Sequence, residues 1–176
     1  KARLARGLTW TGIAIGAGIS AALALPIAPI NSSLWNITSE VHDTFTEQIG
    51  WPEFIQTVAG IYDSLPEEEK ARAGIFAAEN DEAAALNLYG PQYSLPKAIS
   101  GSDTFWLRGY GDPPPETLII VGYEQAEVNS AFEQCEMAGT ITNPYGVEND
   151  LRSPSTIFVC RGPRWPWPEL WNKAKR

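Results

Sequence analysis

The sequence predicts an α/β chain: a three-layer, Rossmann-like domain with a mostly parallel sheet and an antiparallel closing strand, preceded by one transmembrane helix. Three observations predict it. Over residues 71–141, short apolar runs alternate with helix-forming segments, the pattern of a parallel sheet covered by helices. Residues 117–122, TLIIVG, are β-branched, uncharged and closed by glycine, which suits a central strand buried on both faces. Residues 8–30 carry no charge in 23 positions, and about 20 apolar residues are enough to cross a bilayer.

Length and charge narrow the classes further. A chain of 176 residues, 44% apolar, can build one proper core and an appendage. All 21 acidic residues lie at or beyond Glu40, whereas Lys1, Arg3 and Arg6 are three of the 13 basic ones. The remainder therefore carries 10 basic against 21 acidic side chains, a formal charge of −11. Such a surface repels nucleic acid, so nucleic acid is not an expected partner. The chain begins at Lys1 and its only methionine is Met137, so a piece of a longer protein is the expectation.

The expected organisation is residues 1–30 as basic flank and transmembrane helix, 31–50 as connector, and 51–176 as an extracytoplasmic α/β domain. The basic flank before the apolar run and the acids after it place Lys1 in the cytoplasm and everything beyond about residue 31 outside. Pro26 and Pro29 mark the outer end of the span. A signal peptide would need a shorter apolar core and a cleavage site, and a buried helix of a soluble protein is the third reading. The connector holds the lone histidine, His42, near Asp43 and Glu47, and no further His or Cys converges with it, so neither a metal site nor a cofactor is expected.

Residues 51–62 repeat apolar side chains at 51, 54, 55, 58, 61 and 62, the spacing of one helical face, with Pro52 suited to the first turn. Ser64-Leu-Pro-Glu67 has the form of a capping box. Residues 73–78 form an apolar strand, and the polar turn Glu79-Asn80-Asp81-Glu82 leads into a helix with Asn80 as N-cap and Gly90 as stop. Residues 97–100 offer a short second strand. A proline-dense turn, GYGDPPPE, precedes the strong strand at 117–122, after which residues 124–134 read as a helix with Val128, Ala131 and Phe132 on one face. Residues 135–141 and 155–160 are two further strands joined by a polar loop and expected to run antiparallel. Cys135 and Cys160 lie on them; a disulfide in an oxidising compartment and two buried free thiols are both open, because register is not fixed by the sequence. The tail, RGPRWPWPELW, either covers a sheet edge or docks its tryptophans near lipid.

In an open α/β sheet, ligands sit outside the carboxyl ends of the strands, which makes residues 79–82 the first place to look for a site. Two readings stand for the surrounding residues. Asn80, Glu82, Ser102, Asp103, Trp106 and Asn149 line a ligand site, which the family resemblance given below makes a sugar site, with amides and carboxylates on hydroxyls and an indole face on the ring. Alternatively Asn80 and Asp81 cap a helix, Trp106 is core, and Glu148, Asn149 and Asp150 are an ordinary polar loop. A P-loop, a G-x-G-x-x-G after a strand, a nucleophile elbow and a second histidine are all missing, which weighs against an isolated soluble enzyme.

Three stretches carry a family resemblance. GWPEFIQTVAGIYDSLP at residues 50–66, LNLYGPQYSLPKAISG at 86–101, and NPYGVEND with VCRGPRWPWPELW toward the end together resemble the C-terminal extracytoplasmic region of bacterial membrane glycosyltransferases, the protein-O-mannosyltransferase-like and aminoarabinose-transferase-like superfamily. The resemblance covers nearly everything from Gly50 on and makes the apolar run the last span of a polytopic enzyme. It implies sugar transfer from a polyprenyl-phosphate donor outside the membrane, with the catalytic acid in an upstream loop. No catalytic residue is then expected in this chain, only an accessory role in orienting a lipid-linked sugar or glycan acceptor. The implied partners are the bilayer and the remainder of the enzyme. Where relatives show N-Y-G-E-A and G-H-N-S-Y-W, this chain has Asn80-Asp-Glu-Ala and Gly101-Ser-Asp-Thr-Phe-Trp106, keeping Asn80, Glu82 and Trp106 and losing the histidine. The competing reading is a single-span receptor or binding protein with an α/β ectodomain.

Overall fold

The computed structural model describes residues 2–25, 27–147 and 155–176. It divides into two compact units, Lys1–Ile49 and Gly50–Arg176.

In the first unit, helix α1 spans Ala2–Ala24. Its segment Ala5–Ala24 is 20 residues long and apolar enough to cross a membrane, and at 1.5 Å per residue that is about 30 Å. The helix lies further toward the start of the chain than the apolar run suggests. Alanine and arginine in the basic flank are good helix formers and extend it backward, while Leu25 precedes a proline and is biased out of the helical region. Residues 31–50, expected as a bare connector, hold two short helices. Helix α2, Ser33–Val41, is capped by the Ser32 hydroxyl accepting the Trp35 N–H, and α3 covers Thr44–Glu47.

The second unit opens with α4, Trp51–Ser64, whose first turn carries Pro52 and whose Phe54, Ile55, Val58, Ala59 and Ile61 are buried at the expected helical spacing. The Ser64 capping box does not form. Ser64 Oγ donates backward to the Ile61 carbonyl, and the short helix α5, Glu67–Lys70, starts after Pro66 instead. Strand β1, Ala73–Ala77, leads into α6, Asn80–Tyr89; β2 is Ala98–Ser100, and β3 is Thr117–Val121. Helix α7, Gln125–Ala131, is shorter than residues 124–134, because Phe132 is extended (φ −127°) and begins strand β4, Phe132–Thr140. The chain closes with β5, Thr156–Pro163, and α8, Trp167–Lys173.

The five strands form one sheet in the order β2-β1-β3-β5-β4. β1 pairs in parallel with β2 and β3, while β5 pairs antiparallel with both β3 and β4. Four strands therefore share a direction, and the antiparallel one is inserted between β3 and β4 rather than placed at the edge. Alternation along the strands separates two cores. Ile75, Ala77, Ile119, Val121, Ile157 and Val159 pack with residues of α4 and α6 on one face. Phe76, Leu118, Ile120 and Phe158 pack on the other with Val128 of α7 and Leu170 and Trp171 of α8. Every residue of β3 is buried, each large aliphatic contributing about 1.5–3 kcal/mol. Covered on both faces, the unit has helix, sheet and helix layers, and the Trp-rich tail is one of the covering elements.

The register resolves the cysteines. Cys135 of β4 stands directly opposite Cys160 of β5, Cα to Cα 4.2 Å, and the two form a disulfide. That spacing is the close approach of an antiparallel pair.

Candidate functional site

The carboxyl ends of β1, β2 and β3 meet in one polar network. β1 ends at Ala77, and the extended Glu79 (φ −108°, ψ 157°) becomes the N-cap of α6. The cap is thus Glu79 rather than Asn80. Its carboxylate accepts the N–H of Glu82, and Glu82 Oε2 accepts the Glu79 N–H at 3.2 Å, a reciprocal capping box that satisfies two otherwise orphaned donors.

Glu82 is fully buried, and its Oε1 has no hydrogen-bond partner among the described residues. Burial raises its pKa to about 7, helped by the neighbouring charges of Asp81 and Glu79 and opposed by the backbone N–H groups of Glu79 and Ala78. Gly122, just after β3, roofs this carboxyl. It has φ +74°, and a Cβ there would lie 2.6 Å from Glu82 Oε2. Only glycine meets both demands at once.

The end of β2 adds two of the expected residues, Ser102 and Asp103. Ser100 Oγ donates to the Ala78 carbonyl at 3.3 Å and accepts the Ser102 N–H at 3.1 Å, which ties β2 to the end of β1. Ser102 Oγ sits 3.5 Å from Glu79 Oε2. Asn80 Nδ2 donates to Asp103 Oδ2 at 2.8 Å, with Asp103 held at φ +48°. Asn80, Glu82, Ser102 and Asp103 are therefore brought together. Trp106 is not part of that network: its indole N–H donates to the Trp171 carbonyl and it packs in the core with α8. Asn149, with Glu148 and Asp150, lies outside the described residues.

The tail supplies groups that the sequence did not mark. Arg176 Nη1 lies 3.1 Å from Glu79 Oε1 and Nη2 3.2 Å from Glu127 Oε1, with the guanidinium 4.6 Å above the Tyr123 ring. Its backbone N–H donates to Gly101 O at 3.0 Å, and Gly101 is glycine because the Ala174 carbonyl occupies the space of a Cβ. The ion pairs are half exposed and are worth about 0–1 kcal/mol each; their effect is to hold the tail across the strand ends. Tyr123 Oη is buried without a partner among the described residues, and burial pushes the phenol's pKa up. The only sequence signals for this half of the network were Gly122 closing TLIIVG and the capping spacing of Glu79.

Beside the network, between α7 and α8, a cavity of about 260 Å³ has Phe76, Ile120, Phe132 and Leu170 as floor and Tyr123 and Lys173 at its rim. A larger groove of about 740 Å³ lies at the amino ends of the strands, walled by Pro113, Pro114 and Pro115. None of the expected site residues lines either one. Among the described residues no group of three or more His, Cys, Asp or Glu side chains is placed to hold a metal ion. The network offers carboxylate and hydroxyl contacts for hydroxyl groups, but most of its polar atoms are already engaged with one another.

Comparison with family profiles, with characterised proteins and with solved structures gives no match for this chain.

Proposed function

We propose that the chain is the outer end of a polytopic membrane glycosyltransferase that uses a polyprenyl-phosphate-sugar donor. In this reading α1 is a membrane span with Lys1 on the cytoplasmic side, and residues 50–176 are an extracytoplasmic, Rossmann-like accessory domain that orients the lipid-linked donor or the acceptor. The observation that carries the location is the Cys135–Cys160 disulfide in a unit that follows a helix long enough to cross a membrane, since disulfides persist on the oxidising side. The basic flank ahead of α1 supports the same orientation.

The accessory role is supported by how the candidate residues are used. Glu82 completes a helix cap, Trp106 clamps α8, and Asn80 and Asp103 satisfy each other. Catalytic carboxylates belong, on this reading, to an upstream loop of the same enzyme. The transferase class itself rests on the three-stretch resemblance.

Transfer of labelled sugar from a polyprenyl-phosphate donor, in membranes containing the whole enzyme, tests the proposal. Truncation after Ile49 should abolish or strongly reduce transfer while donor binding by the upstream part persists. Full transfer by the truncated enzyme would overturn the accessory role. A start codon immediately before Lys1 in the gene would overturn the transferase reading itself and favour the single-span receptor.

A further inference from the structure

The apolar exposure of the first unit does not stop where α1 ends. Leu8, Trp10, Ile13, Ile15 and Ile19 on α1 are 54–67% exposed, and Leu25 and Ile27 just beyond it are 51% and 63% exposed. In α2, Leu34, Ile37 and Val41 are 45%, 57% and 57% exposed. Spacings of three and four place these three on one face of the helix, with the exposed Asn36 and Glu40 along one side of it and the buried Thr38 and half-buried Ser39 along the other. A nine-residue helix rarely presents three large aliphatics to water without something to cover them.

Position indicates the cover. α2 follows the end of α1 by eight residues and contacts it, with Ser32 N–H donating to Pro29 O in the turn just ahead of α2. If α1 occupies the hydrocarbon, α2 therefore sits at the level where acyl chains give way to headgroups. Trp10, 65% exposed in the first half of α1, and Trp35 in α2 then lie toward opposite ends of the apolar segment, as tryptophans do at the two faces of a bilayer.

We propose that α2 is an interfacial helix, with Leu34, Ile37 and Val41 inserted among the lipid acyl chains and Asn36 and Glu40 facing water. The proposal rests on the reading that α1 spans the membrane. α2 carries no Lys or Arg, so insertion is driven by its apolar face and does not require anionic lipid.

Nitroxides placed singly at residues 33–41 of the chain in phosphatidylcholine vesicles test this, since the disulfide keeps Cys135 and Cys160 out of the labelling reaction. Labels at Ile13 and Ile19 report on α1. The expected result is a helical periodicity: positions 34, 37 and 41 several-fold more accessible to oxygen than to a water-soluble nickel chelate, with the ratio reversed at 36 and 40. Nickel accessibility at 34, 37 and 41 equal to that at 36 and 40, with Ile13 and Ile19 still in lipid, would overturn the interfacial helix and leave the span standing. Exclusion of both reagents from 34, 37 and 41 would overturn it too, by showing a protein contact. Nickel accessibility at Ile13 and Ile19 would overturn the span and the interfacial helix together.

Discussion

The indole N–H of Trp106 donates to the main-chain carbonyl of Trp171, and the indole N–H of Trp171 returns to the carbonyl of Trp106, both at 3.2 Å. The pair joins the turn after β2 to α8 across 65 residues of sequence. Each ring also buries part of its surface against Phe76, Leu118 or their neighbours in the second core.

Replacing Trp106 by Phe keeps an aromatic ring and removes one arm of this clamp. The expected cost is about 1–2 kcal/mol, from one lost hydrogen bond and a carbonyl left short of a partner. Urea unfolding followed by tryptophan fluorescence measures it. An unchanged midpoint combined with lost ligand binding would return Trp106 to the role of a sugar platform.

Glu82 predicts a pH dependence of stability. Its pKa is raised by burial from about 4.5 to about 7 in the folded chain. Between those values the folded state holds a proton that the unfolded state has released, so stability is full below about pH 4.5 and falls as pH rises through 7. The loss attributable to this group is on the order of 3 kcal/mol. Glu82→Gln keeps an oxygen for the Glu79 N–H and cannot ionise. Unfolding curves at pH 5 and pH 8 should therefore show a smaller drop for the variant than for the parent, and equal drops would contradict the buried, protonated carboxyl.

The Cys135–Cys160 bridge closes a loop 25 residues long, and chain-entropy arguments give such a cross-link roughly 3–4 kcal/mol. Reduction with dithiothreitol should lower the unfolding midpoint by an amount matched by the double alanine variant. β4 is the strand most exposed to the loss, because among the described residues it pairs with β5 alone.

Much of this arrangement was legible because the physics is local. β3 announces itself by five consecutive buried residues, and α4 by a clean helical repeat interrupted by nothing but a well-placed Pro52. The errors fall where a local rule has two solutions. Asn80 and Glu79 can each cap α6, and the backbone turn puts Glu79 in the extended conformation. Phe132 suits the buried face of a helix or the first position of a strand, and pairing with Pro163 decides for the strand. What could not be read was long-range: the insertion of β5 between β3 and β4, the opposition of the two cysteines, and the reach of Arg176 back to Glu79 and Glu127. These depend on register and topology, which no window of sequence contains.

The proposed placement of the second unit on the extracytoplasmic side is tested most directly by labelling a single new cysteine. Ala126→Cys on the exposed face of α7 leaves the disulfide intact. A membrane-impermeant maleimide added to intact spheroplasts should label it fully before lysis. Labelling only after the cells are opened would put residues 50–176 in the cytoplasm and contradict the account.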